Sequence, residues 1–171
     1  MVLINNFKIE GVYMRGIVLE KGEKYYTYIK KYFYAINNKQ KDYNWLISDM
    51  NCYPQSKKYD ELFSKEYCWI SGKNLTEIID NEDFLWIWGV FSGFHQNISK
   101  EEVLEYELPF ADGYKGFWNN PISIQHPLAD IELVCWDGNF FLLISKDDYI
   151  IEEFQKHFPL SEDLKIYNER E

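Results

Sequence analysis

Residues 131–145 read Ile131-Glu132-Leu133-Val134-Cys135-Trp136-Asp137-Gly138-Asn139-Phe140-Phe141-Leu142-Leu143-Ile144-Ser145, and they decide the fold class. Two β-rich runs flank Asp137-Gly138-Asn139, and Asp and Gly tolerate the left-handed backbone that a tight hairpin turn demands. Downstream, Ser145 and Asp148 are placed to cap a helix that carries Ile150, Ile151, Phe154 and Phe158 on one face until Pro159 ends it. Ser161-Glu162-Asp163 opens a last short helix.

Upstream, Phe84 to Phe94 reads as a central strand, with Gly89 and Gly93 marking a bulge or a close backbone approach. Trp86 and Trp88 are two residues apart and are expected on one strand face, as core. Asn74 and Glu77 have capping-box spacing and predict a helix over Leu75 to Asp80. Tyr67 to Ile70 reads as a short strand, Cys52 to Ser64 as an irregular connection containing Pro54, and Tyr43 to Asp49 as a strand. Arg15 to Glu20 reads as the first strand. It precedes an amphipathic helix from Glu23 to Ile36 whose stripe is Tyr25, Tyr26, Ile29, Tyr32, Phe33 and Ile36, ended by Asn37-Asn38. Ser99 with Glu102 starts a brief helix. Strand runs interleaved with helices, and a hairpin among them, predict one α+β domain over residues 1–171. Its sheet is mixed or antiparallel, with helices packed on one face.

Composition narrows the function. The 171 residues include 18 Lys plus Arg against 28 Asp plus Glu, a net charge of −10. That balance disfavours nucleic acid, whose binders cluster cations against phosphates. Residues 1–95 are neutral, with 12 acids and 12 bases, whereas residues 96–171 hold 16 acids and 6 bases. A charge run is ordinarily a solvated face, and the competing reading is a docking surface for a basic partner. No apolar run in Met1 to Ile17 is long enough for a leader, no window is long enough to span a membrane, and three widely spaced cysteines suit reduced thiols. A cytoplasmic protein is expected.

The opening Arg15-Gly16-Ile17 strand ending in Glu20, the Tyr43-Asn44-Trp45 strand and the Ile70-Ser71-Gly72-Lys73-Asn74-Leu75 turn come in order. They are followed by the Phe84 to Val90 aromatic strand and the Asp130-Ile131-Glu132-Leu133-Val134 strand. Together they resemble a domain-of-unknown-function family of small uncharacterised proteins from Bacillus and related Gram-positive bacteria. The resemblance implies a host and a compartment but no activity. In general character, small acidic aromatic-rich proteins of such hosts are also similar to toxin-neutralising immunity proteins.

No catalytic signature stands out. Cys52, Cys68 and Cys135 are candidate nucleophiles with His95, His126 and His157 as bases, but Cys135 lies inside an apolar strand where an inert thiol is the default. The histidines are 31 residues apart, unlike the close pairs zinc needs. The chain is not expected to be an enzyme, and neither a metal nor a cofactor is expected.

Binding is the leading expectation, through a protein–protein interaction, with an immunity-like role toward a basic partner as one form of it. A small-molecule or sensor domain is the alternative, and an unrecognised enzyme the third. The segment Phe110 to Pro127 is least explained by packing, and loops on rigid scaffolds carry recognition. Candidate binding residues are Glu101, Glu105, Asp112, Tyr114, Phe117, Trp118, Asn119 and His126. The competing reading of the loop aromatics is that they cover the edge of the sheet.

Overall fold

The hairpin forms as its residues dictate. Strands β5 (Ile131–Trp136) and β6 (Phe140–Ser145) pair antiparallel with Leu133 opposite Leu143, and Asp137 and Gly138 turn with φ of 49° and 66°. The structure is a computed structural model that describes residues 13–170; the expectation of no leader falls largely on residues 1–12, outside the described residues. Five further strands join the hairpin: β1 (Arg15–Leu19), β2 (Tyr43–Cys52), β3 (Tyr67–Ser71), β4 (Trp86–His95) and β7 (Glu162–Asp163). The sheet order is β3-β2-β4-β5-β6-β1-β7, and every pairing is antiparallel.

Four helices pack on one face: α1 (Lys30–Ala35), α2 (Lys57–Phe63), α3 (Gly72–Asn81) and α5 (Asp148–His157). Phe33, Phe63, Leu75, Ile79, Ile151 and Phe154 meet Trp45, Ile47, Phe91, Leu133 and Leu143 of the sheet in one core. Tyr32 stacks on Phe141 with ring centroids 3.7 Å apart. The fold is α+β. Two shorter helices, α4 (Lys100–Val103) and α6 (Leu164–Asn168), contribute Val103 and Leu164 to the cores of the opposite face.

Local differences from the sequence reading have identifiable causes. Helix α1 begins at Lys30, not Glu23, because the Asp83 carboxylate accepts the Lys30 N–H while the Thr27 carbonyl accepts from Trp86 N–H. Residues 21–29 are thereby tied to the entry of β4, and Tyr25 is left exposed. Helix α2 occupies part of the segment read as irregular; seven residues are too few to show a helical period. Helix α3 starts at Gly72, capped by Ser71, whose Oγ accepts from Asn74 N–H at 3.2 Å. Asp147 caps α5, accepting from Tyr149 N–H. Trp86 and Trp88 fall on opposite faces, Trp86 under the helices and Trp88 away from them. The β2–β4 pairing shifts register between Ser48 and Asn51 and again before Cys52, which breaks the two-residue alternation.

Candidate functional site

The face of the sheet turned away from the four helices presents Val18, Val90, Val134, Leu142 and Ile144, with Leu46 and Phe94 toward β2. Most of it is covered by an irregular strap, residues 98–128, which buries Val103, Ala111 and Phe117 against it. Pro109, Gly113, Gly116, Pro121 and Pro127 keep the strap from coiling into a long helix. A non-helical segment over an apolar face needs partners for its backbone polar groups. Side chains of the sheet supply them, buried Ser48 and Glu132 and half-buried Asp49.

Ser48 Oγ donates to the Pro109 carbonyl at 2.6 Å. One oxygen of Asp49 accepts from the N–H groups of Ala111 (2.8 Å) and Asp112 (2.9 Å), with Asp49 itself at φ 50° in the register break. The Glu132 carboxylate accepts from Gln125 N–H (2.8 Å), His126 N–H (3.2 Å) and Ser92 Oγ (3.0 Å). That role explains a glutamate at 0 % exposure inside an apolar strand. Burial pushes its carboxyl up to about 7, against the lowering effect of the three donors. The strap is thus held at residues 109–112 by β2 and at residues 125–126 by β5.

Between those anchored stretches lies a hollow of about 330 Å³ lined by Tyr106, Phe110 and Tyr114 with Glu107, Leu108 and Gln125. Phe110 N–H donates across it to Gln125 Oε1 at 3.0 Å. Phe110 meets Tyr114 edge-on at 5.3 Å, and Tyr106 meets the His126 ring edge-on at 5.3 Å. Tyr106 and Phe110 stay 42 % and 44 % exposed, so these rings are displayed and not spent on packing. Glu101, Glu105, Glu107 and Asp112 are exposed as well, and none forms an ion pair among the described residues. Glu102 is committed to a capping box with Ser99.

The sequence candidates divide. Tyr114 lines the hollow; Glu101, Glu105 and Asp112 are exposed on α4 and the strap. Phe117 and His126 have no surface to offer a partner, which corrects their reading as contact residues: each is 1 % exposed. Phe117 packs edge-on against Tyr114 at 4.7 Å. His126 Nδ1 accepts from Leu128 N–H, so its proton lies on Nε2, which donates to the Val103 carbonyl at 3.0 Å. Burial lowers its pKa and keeps it neutral. Trp118 does not line the hollow and packs in the same apolar cluster as Phe117, against Trp136 (5.1 Å) and Tyr167 (5.8 Å), and exposed Asn119 donates to the Lys115 carbonyl. The loop aromatics cover the face of the sheet, not its edge.

Tyr106 and Glu107 are missing from the sequence candidates because residues 106–108 look like an extended lead-in to Pro109, and Phe110 opens the singled-out segment without being among those candidates. Their signal was an aromatic pair four residues apart with glutamates on either side of Tyr106. The thiols are perturbed away from reactivity, since burial pushes Cys52 up to about 12 and Cys68 up to about 11. Among the described residues no cluster of three or more His, Cys, Asp and Glu could hold a metal ion, and no helix is long and apolar enough to cross a membrane.

No curated protein and no solved structure matches the chain. A family model described as "Protein of unknown function (DUF2691)" matches residues 14–113, more than half of the sequence. The match runs from β1 to the first wall of the hollow and stops short of residues 125–127 and of the β5–β6 hairpin. On that match the chain belongs to this family of proteins of unknown function.

Proposed function

We propose that the protein acts by binding and not by catalysis, in the cytoplasm of a Gram-positive bacterium, with the outer surface of the strap as its docking face for a basic protein. The host and compartment follow from the sequence resemblance. One observation carries the docking reading. Exposed Tyr106 and Phe110 flank a hollow on a segment whose carboxylates Glu101, Glu105, Glu107 and Asp112 are unpaired among the described residues. Exposed tyrosines on a rigid support favour interfaces, because little side-chain freedom is lost on contact. Unpaired carboxylates raise the association rate with a basic surface. An immunity-like role, in which carboxylates occupy the phosphate site of a basic nuclease, is one form of this reading.

The test is affinity capture from host cells with the native protein and with the triple variant Glu101→Lys, Glu105→Lys, Asp112→Lys. Recovery of one basic protein by the native bait and its loss with the variant is the expected result. Equal recovery by both baits, or a captured partner that is acidic, overturns the reading. A small-molecule ligand is the second reading, favoured by a hollow at the lower end of the size range of ligand pockets. A metabolite that raises the melting temperature of the native protein, with no partner captured, would select it.

A further inference from the structure

A groove of about 590 Å³ between α2 and α3 mixes Lys58 and Lys65 with Glu61 and Glu77 and has a single aromatic ring, Tyr59. The strap hollow differs in kind. Three rings line it, one carboxylate stands among them, and no cation does. Aromatic faces attract cations through the ring quadrupole, and the planar guanidinium stacks on a ring while pairing with a carboxylate, which a compact ammonium cannot do. Lys100 and Lys115 are the only lysines or arginines in residues 98–128, against five carboxylates.

We infer that the hollow formed by Tyr106, Phe110, Tyr114 and Glu107 is a guanidinium pocket that receives an arginine side chain of the basic partner. This rests on the docking reading above and specifies what that surface selects. The support is rigid: Ser48, Asp49 and Glu132 hold both sides of the hollow, and Phe110 N–H is bonded across it to Gln125. Little ordering is left to be done on binding, which favours affinity. Buried His126 serves as a positioning residue, backing the Tyr106 ring.

The experiment titrates n-butylguanidinium, n-butylammonium and neutral n-butylurea into the isotopically labelled protein while the ring resonances of Tyr106, Phe110 and Tyr114 are followed by NMR. Saturable shifts with butylguanidinium and none with butylurea are expected. Glu107→Gln should weaken the guanidinium response about five-fold, and Tyr106→Ser with Phe110→Ser should abolish it. Both ring substitutions are at exposed positions, and an unchanged backbone spectrum verifies that the variants fold. Equal response to butylurea overturns the cation assignment, and equal or tighter response to butylammonium overturns the choice of arginine. Silence at the rings alongside charge-dependent capture of a basic protein overturns the pocket and leaves the docking face standing. Ring shifts without any captured partner support the pocket and count against the docking face.

Discussion

Ser92 of β4 and Glu132 of β5 sit directly opposite each other in the sheet, and the serine hydroxyl donates to the glutamate carboxylate at 3.0 Å where neither residue is exposed. The other two donors to Glu132 come from the strap. A carboxylate placed among valines and leucines is therefore the fastening by which an irregular segment is held on an apolar face. Its cost is desolvation, offset in part by three hydrogen bonds.

That cost makes stability depend on pH. Glu132 has an ordinary value of 4.5 and is raised to about 7 in the folded state. The folded protein thus holds this proton more tightly than the unfolded chain. The contribution of Glu132 is fully present below about pH 4.5, declines as pH rises and is lost above about pH 7, a change of about 3 kcal/mol. Glu132→Gln removes the titrating proton. The difference in urea unfolding free energy between native protein and variant should therefore change by about that amount across this window, and parallel curves would disprove the assignment.

Asp49 holds the other side of the strap through two charge-assisted hydrogen bonds. Asp49→Ala removes the shared acceptor of both hydrogen bonds and places alanine at positive φ, which should cost about 2–4 kcal/mol. Amide exchange at Ala111 and Asp112 should accelerate before that of the β5–β6 hairpin. Asp49→Asn keeps an acceptor and tolerates the backbone, so its loss should be smaller.

Gly93 lets β4 and β5 close up. A Cβ there would stand 2.5 Å from Ile131 Cγ2 and 3.0 Å from Trp45 Cη2, both buried. Gly93→Ala should lower unfolding free energy by about 1–3 kcal/mol through overpacking. In an Ile131→Ala background, which removes that methyl, Gly93→Ala should cost less, and strict additivity in urea denaturation would show that the two sites do not touch.

The strap aromatics should separate into packing and display. Phe117→Ala opens a cavity under the strap and should cost about 3–5 kcal/mol. Tyr106→Ser, at a ring 42 % exposed, should cost under about 1 kcal/mol in the same denaturation experiment. Similar losses for both would contradict the exposure of Tyr106.

Thiol labelling probes the cysteines directly. Cys68 and Cys135 are buried, and burial raises all three thiols. At pH 8 a disulfide reagent should label Cys135 only as fast as the protein unfolds, whereas a fast native phase at that residue would revive it as a nucleophile.

The α+β class, the Asp137-Gly138 hairpin, the Asn37-Asn38 stop and the capping box at Ser99 and Glu102 were legible in the residues, because each is set by backbone preferences within a few positions. The start of α1 was not, since Asp83, 53 positions away from Lys30, decides it. Nor were the faces of Trp86 and Trp88, which depend on a register shift in the neighbouring strand. Membership of the family rests on residues 14–113, yet the far wall of the hollow lies beyond them.

Charge distribution and aromatic content, then, belong to the sequence. It located the acidic excess and the proline- and glycine-rich segment without any coordinates. Only the tertiary structure decided which aromatics are spent on the sheet and which are shown to solvent. Phe117 and Phe110 are chemically identical, but one is 1 % and the other 44 % exposed. The difference comes from long-range hydrogen bonds of Ser48, Asp49 and Glu132, which set the path of the strap and leave no local trace in the chain.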